Sequence, residues 1–315
     1  MEKVIEVQKL FKALAVVTSF VMLFVLIGGS LVTKTGSGDG CGDSWPLCNG
    51  ELIPSQITFE LIIELSHRLV SGTAGILVII LAIWSWKRIG HIRETKFLAS
   101  MSVIFLIAQA LFGAAAVVWG QSDTVLAIHF GISLISFATV LLLTLLIFEV
   151  DKKFDAKSVV IAKGMRMQIY ALIVYLYAVV YTGALVRHTN SSLACQDFPL
   201  CTNGSFSLPA TMYEWVQMGH RLAALILFVW TFVLMIKVYK QYRDQKVLVY
   251  SITTTFILLC LQALSGIATV FTLMNYIVIP LMHALFVSCA FAVLSYLVLL
   301  ANRSSKNEKE QNRAA

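Results

Sequence analysis

The stretch Glu64-Leu-Ser-His-Arg68 lies inside a long apolar segment, and a similar stretch, Gln217-Met-Gly-His-Arg221, follows half a chain later. In each stretch the Glu or Gln stands three residues before the His, so that both lie on one face of a helix. A charge at the centre of a membrane helix costs roughly 2.5–3.5 kcal/mol on insertion scales. The two stretches therefore indicate a membrane helix protein in which these polar residues serve a function.

The composition supports this reading over the length of the chain. Of its 315 residues, 58% are hydrophobic and 13% are charged, whereas about a quarter of a soluble protein is charged. The apolar runs are continuous and do not alternate, which argues against strands. Eight of them are long enough to cross about 30 Å of hydrocarbon as helices. We therefore predict an all-α integral membrane protein with spans near 11–32, 60–86, 96–119, 125–148, 167–187, 212–237, 248–272 and 277–301.

The net charge of +7 is concentrated before the first span and in the second, fourth and sixth connections. Basic residues favour the cytoplasmic side of a membrane. The pattern therefore predicts a multi-pass protein of the cell membrane with both termini in the cytoplasm and the odd-numbered connections on the outer face. Because topology accounts for the basic residues, no nucleic acid partner is needed.

The two halves of the chain align with each other. Matched positions are separated by 153 or 154 residues throughout: Gly29 and Gly183, Pro46 and Pro199, His67 and His220, Gln109 and Gln262, His129 and His283. Four spans per repeat give both halves the same sense across the membrane, so we predict a pseudo-two-fold axis along the membrane normal. The predicted parts are a cytoplasmic N-terminus (1–10), two four-helix bundles (11–148 and 167–301), a cytoplasmic linker (149–166) and a disordered cytoplasmic tail (302–315).

Four of the six histidines form two repeat-related pairs, His67 with His129 and His220 with His283. At 1.5 Å per residue the first pair lies about 10 and 8 Å into its spans from the outer side, and the second pair lies at similar depths. Two imidazoles at one depth inside a four-helix bundle suit the axial positions of a haem iron. The alternative is a set of core histidines that form interhelical hydrogen bonds.

Each histidine of the second and sixth spans is followed by an arginine, Arg68 or Arg221. Arginine binds carboxylates in a bidentate manner, so both are candidates for binding haem propionates. Snorkelling, or pairing with the nearby Glu or a backbone carbonyl, explains them equally well.

Two pairs of cysteines occupy matching outer connections, Cys41 with Cys48 and Cys195 with Cys201. The oxidising side of the membrane permits disulfides, and an eight-residue loop would gain roughly 2.5 kcal/mol from closure. The favoured interpretation is a structural link in each outer loop. A thiol–disulfide couple that exchanges electrons with a partner is the alternative, chiefly for Cys41 and Cys48.

Only the first repeat carries an acid, Glu64, where the second has Gln217. A buried carboxyl can exchange protons or stabilise a nearby cation. The asymmetry predicts chemistry in the first bundle and a structural or electron-supplying role for the second. A simple ion pair between Glu64 and Arg68 is the alternative.

The order, spacing and duplication of these motifs over about 11–301 resemble haem A synthase in its bacterial form with outer-loop cysteines. The resemblance implies oxidation of a haem O methyl group to the formyl group of haem A. By position, it implies that His67 and His129 hold the substrate haem and that His220 and His283 ligate the iron of a haem b cofactor. It makes Glu64 the catalytic residue and ties Cys41–Cys48 to activity, with Cys195–Cys201 structural.

The implied partners are the haem O substrate and haem A product, an unidentified electron donor, membrane lipid, and candidate assembly partners in a haem O synthase and a terminal oxidase. A dihaem b-type cytochrome that carries electrons between quinol and a partner would use the same four histidines, but would not need an acid in one half only. A transporter fits the parallel repeat, but not the matched histidine pairs.

Overall fold

The structure is a computed structural model that describes residues 2–52, 54–120, 122–148, 159–201 and 208–314. Its secondary structure consists of long helices, a short 3₁₀ turn at Ser37–Asp39 and one isolated bridge between Cys48 and Glu51. Eight helices are long and apolar enough to cross a membrane. They are α1 (Glu2–Thr35), α2 (Phe59–Ile89), α3 (Thr95–Val118), α4 (Asp123–Ile147), α5 (Lys163–His188), α6 (Met212–Gln241), α7 (Lys246–Phe271) and α8 (Val278–Ala314). The predicted all-α membrane fold is confirmed.

The chain divides into two compact units, Met1–Glu149 and Val150–Ala315. In the first unit α1 packs against α2 and α4, and α3 packs against the same two helices. In the second unit α5 packs against α6 and α8, and α7 also packs against both. Each unit is therefore a four-helix bundle with the same order of neighbours. The pseudo-two-fold axis between them stays a prediction.

The helices that carry the first histidine of each repeat begin in the same way. The Thr58 side chain accepts a hydrogen bond from the Leu61 amide at the start of α2. Thr211 caps α6 and forms a reciprocal capping box with Glu214. Such caps satisfy backbone N–H groups that have no partner inside the helix. They fix where each helix begins, and with it the position of the polar residues one to three turns later.

The end of the chain differs from the expectation. We predicted a disordered tail from residue 302, but α8 continues to Ala314. Arg303 and Ser304 are buried, and the Ser304 hydroxyl accepts a hydrogen bond from the Ile161 amide at 2.8 Å. Arg166 forms an ion pair with Glu308 at 2.6 Å. Contacts with Ile161, just before α5, and with Arg166, in the first turn of α5, thus stabilise a segment whose polar composition alone suggested disorder.

Candidate functional site

Two of the loops that we predict to be outer each contain a disulfide, Cys41–Cys48 and Cys195–Cys201. All four cysteines are buried. In the first unit the disulfide packs against Leu61 and Leu65 near the start of α2. The first disulfide loop is thereby held against the helix that carries Glu64 and His67.

Glu64 connects α2 to the first disulfide loop. Its side chain is buried, and its Oε2 accepts a hydrogen bond from the Cys41 amide at 2.8 Å. Its Oε1 accepts from Nε of Arg68 at 3.0 Å, within an ion pair between residues four apart on the helix. The ion pair that was the alternative to catalysis is therefore present, alongside a bond to the disulfide loop that the sequence did not suggest.

Gln217 makes the corresponding contact in the second unit. Its Oε1 accepts a hydrogen bond from the Cys195 amide, and its Nε2 donates to the Ser192 carbonyl at 3.0 Å. The amide thus reproduces the bond between the helix and the disulfide loop without a charge. What distinguishes Glu64 from Gln217 is its negative charge and its pairing with arginine.

Both arginines bind backbone carbonyls of their outer loops. Nη1 of Arg68 donates to the carbonyls of Ser44 and Leu47, each at 2.7 Å. Arg221 donates to the carbonyl of Asp197 at 2.7 Å and to that of Cys195 at 2.9 Å. These contacts match the interpretation that the arginines pair with backbone groups. Propionate binding by Arg68 and Arg221 stays a prediction.

Each of the four predicted ligand histidines packs against a glycine of the preceding helix in its bundle. A Cβ atom on Gly183 would lie 3.1 Å from Cε1 of His220, and one on Gly266 would lie 3.1 Å from Cε1 of His283. The first unit repeats the arrangement between α1 and α2 and between α3 and α4, with Gly29 beside His67 and Gly113 beside His129. At Gly113, Gly183 and Gly266 an added Cβ would force the ring to shift. Beside His67 the tight position is Gly28, where a Cβ would lie 3.1 Å from Nδ1, whereas the 3.4 Å contact at Gly29 is an ordinary one.

The histidine-bearing helices stand at opposite corners of each bundle. α2 and α4 both pack against α1 and α3, and α6 and α8 both pack against α5 and α7. His67 and His129 lie close enough to interact electrostatically. The placement is that of two imidazoles that approach a bundle interior from two sides.

In the second unit the Nδ1 atoms of both histidines have hydrogen-bond partners. Nδ1 of His220 lies 2.8 Å from Oγ1 of Thr182. Nδ1 of His283 lies 3.0 Å from the Gln262 carbonyl oxygen and 3.1 Å from Oγ of Ser265. In both rings these contacts involve Nδ1 and not Nε2.

The first unit lacks these hydroxyl contacts. Nδ1 of His67 and Nδ1 of His129 are buried without a hydrogen bond among the described residues, although the Gln109 backbone lies close to His129. Gly28 stands where the second unit has Thr182, and Phe112 stands where it has Ser265. The sequence interpretation missed Thr182 and Ser265, although these mismatches in the repeat alignment were a visible signal.

The residues of the second unit fit a haem group on three observations. Two histidines on opposite helices each have a partner on Nδ1, and glycines hold both rings close to a neighbouring helix. The side-chain Oε1 of Gln262 is also buried without a hydrogen-bond partner among the described residues. Neutral imidazoles with one nitrogen held and the other free are the usual axial ligands of haem iron.

The chain is similar to known proteins over nearly its whole length. A family model described as cytochrome oxidase assembly protein (COX15-CtaA) matches residues 12–298. Proteins named heme A synthase from Bacillus cereus and Bacillus anthracis are each 59% identical to the chain over 303 residues, which is 96% of the chain and 97% of each relative. One from Bacillus mycoides is 58% identical over the same coverage. On these matches, the chain belongs to the COX15-CtaA family of cytochrome oxidase assembly proteins.

Proposed function

We propose that this multi-pass membrane protein converts haem O to haem A by oxidising a porphyrin methyl group to a formyl group. The observation that carries the proposal is the difference between two otherwise matching sites. Both units have a histidine pair, glycines and a disulfide loop attached to the helix. Among the described residues, only the first unit has a buried carboxylate, Glu64, between the loop and the histidine. The similarity to proteins named heme A synthase supports the same reaction.

The first unit would hold the substrate. His67 and His129 would ligate the haem O iron, and Gly29 and Gly113 leave space for their rings. Glu64 would act as the catalytic acid or stabilise a cation that develops on the substrate. Its hydrogen bond to the Cys41 amide and its ion pair with Arg68 hold both carboxylate oxygens in place. Such fixed charges stabilise a reaction best because they need no rearrangement during it.

The second unit would hold haem b as a resident cofactor. His220 and His283 would be the axial ligands of its iron, and bound haem b would supply electron transfer. Gln217 holds the loop as Glu64 does, but it has no proton or charge to offer. The cysteine loops would lie on the outer face of the cell membrane, with both termini in the cytoplasm, because the basic connections favour that orientation.

The second candidate is a dihaem electron carrier, and the matching histidine pairs favour it. Extraction of the bound haems from purified protein, followed by chromatography and mass spectrometry, separates the two functions. The proposal expects haem b together with haem O, haem A or a hydroxylated intermediate between them. Haem b alone, in protein purified from cells that make haem O, would leave only the electron carrier.

A further inference from the structure

The second unit determines which nitrogen of each histidine carries the proton. The Thr182 hydroxyl donates its hydrogen to the Val179 carbonyl at 2.7 Å. A hydroxyl has a single hydrogen, so towards His220 the Thr182 oxygen can only accept. Nδ1 of His220 must therefore be the donor, and Nε2 keeps the lone pair.

His283 reaches the same state through different groups. Its Nδ1 faces the Gln262 carbonyl oxygen at 3.0 Å, which can only accept a hydrogen bond. The nearby Ser265 hydroxyl donates to that same carbonyl at 2.9 Å, so it too can only accept from Nδ1. Both histidines of the second unit thus carry their hydrogen on Nδ1, so the ring lone pair is on Nε2.

We propose that Thr182 and Ser265 are positioning residues that make the second unit a permanent haem site, whereas Gly28 and Phe112 make the first unit an exchanging one. A hydrogen bond from the far nitrogen of a ligating histidine orients the ring and raises its donor strength, and its removal typically costs 10–100-fold in metal affinity. Gly28 and Phe112 carry no hydroxyl, so among the described residues Nδ1 of His67 and Nδ1 of His129 have no hydroxyl partner, and His129 has only the Gln109 backbone close by.

The difference suits the proposed function, on which this inference rests. A substrate must enter the first unit and a product must leave it, so weakly held ligands shorten the stay of each haem. A cofactor must stay while many substrates pass. The repeat thus supplies the same pair of histidines twice. The residue next to Nδ1 of each histidine then sets how strongly that histidine binds iron.

The test measures haem loss from the full-length chain reconstituted with haem b alone, so that it needs neither haem O nor turnover. A His67→Ala background leaves haem only in the second unit. In that background we compare Thr182→Val, which removes the hydroxyl, with Thr182→Ser, which keeps it. Thr231→Val is the matched control, because Thr231 is a buried threonine of α6 whose hydroxyl donates to the Leu227 carbonyl of its own helix and contacts neither histidine among the described residues. Transfer to excess apomyoglobin gives the rate of haem loss, and electron paramagnetic resonance reports the ligand field of the ferric iron.

We expect Thr182→Val to lose haem about 10-fold faster or more, with a shifted resonance spectrum, and Thr182→Ser and Thr231→Val to stay near the parent. Ser265→Ala, which does not depend on Thr182, should change the rate in the same direction. Thr182→Val with the rate and spectrum of the parent would overturn the proposal, as would equal acceleration by Thr231→Val. In a His220→Ala background the haem left in the first unit should leave about 10-fold faster than that of the second unit. Equal rates of haem loss from the two units would overturn the part of the proposal that makes the first unit an exchanging site.

Failure of the proposed function would be seen in a different measurement, the analysis of the haems that the chain produces. A chain that never yields haem A or its intermediate is not the proposed enzyme, whatever its haem loss rates. A chain that makes haem A but loses both haems equally fast fails only the inference on Thr182 and Ser265.

Discussion

At the scale of single residues, Gln217 is an internal comparison for Glu64. Both side chains accept a hydrogen bond from a cysteine amide of the disulfide loop, so both hold the loop to the helix. Arg221 has Gln217 in the position of the glutamate and donates to loop carbonyls, with Asp197 close enough to interact electrostatically. The second unit therefore shows that a glutamine at this position is compatible with the local structure.

From this comparison we predict that Glu64→Gln removes haem A formation but keeps the protein folded and loaded with haem. The amide can still accept from the Cys41 amide, whereas the proton or charge needed for chemistry is lost. The loss of a general acid or base typically costs 10²–10⁴-fold in rate, so product should fall at least about 100-fold. Chromatography of the haems from cells that make haem O measures both product and haem content.

The matched control is Glu60→Gln, the same change on the same helix one turn earlier, where the side chain is exposed. It should leave product formation unchanged. Full activity in Glu64→Gln would show that Glu64 serves only to hold the loop and Arg68. Loss of haem together with activity would point to a folding role.

At the scale of elements, each proposed haem site depends on close contact between a histidine-bearing helix and the helix before it. The contact requires a glycine, because at Gly183 an added Cβ would lie 3.1 Å from Cε1 and 3.5 Å from Nε2 of His220. Few real Cβ atoms come so close to a neighbour, and the ring is held on its other nitrogen by Thr182, which lies on the same helix. The ring therefore has little freedom to move aside.

We accordingly predict that Gly183→Ala displaces the His220 ring and lowers the haem b content of the purified protein several-fold. Gly164→Ala is the control, because Gly164 lies on the same helix and an added Cβ there meets no atom within 4 Å. The ratio of haem to protein, read from the pyridine haemochrome spectrum, compares the two. Equal haem contents would mean that the bundle opens enough to accept the methyl group.

The elements were predictable from sequence where one physical effect dominates. Continuous apolar runs predicted the eight helices, because a helix needs about twenty apolar residues to cross a bilayer. The prediction of a disordered tail was wrong. The burial of Arg303 and Ser304 and the hydrogen bond from the Ile161 amide depend on tertiary packing, which the polar composition of the segment does not reveal. The partners of Nδ1 were missed for the same reason, since hydropathy and spacing carry no information about which side chains meet.

At the scale of the whole molecule, the duplicated architecture separates two tasks that a single bundle could not combine. A site that binds its haem tightly is poor at releasing product, and a site that releases readily is poor at retaining a cofactor. Two bundles with the same order of helices can carry the same pair of histidines. They then differ only in the residues that contact those histidines. Under the proposed function, the difference between Glu64 and Gln217 would assign the chemistry to the first unit, and the difference between Gly28 and Thr182 would assign haem retention to the second.

The distribution of basic residues predicts that Glu64 and both disulfide loops lie on the outer side of the membrane, which can be tested on the whole chain. A cysteine at Leu208, an exposed residue of the second outer loop, should react with a membrane-impermeant thiol reagent in intact cells. A cysteine at His91, an exposed residue between α2 and α3, should react only after the membrane is permeabilised. The reason is the basic character of that connection, which favours the cytoplasm.

The unsubstituted chain sets the background, because its two free cysteines, Cys260 and Cys289, lie within helices and are partly buried. Mass spectrometry of the labelled peptides separates the new thiol from these two. Labelling of His91→Cys and protection of Leu208→Cys in intact cells would reverse the orientation. The disulfides would then face a reducing compartment, where such bonds rarely persist, and the attachment of Glu64 to a closed loop would lose its basis.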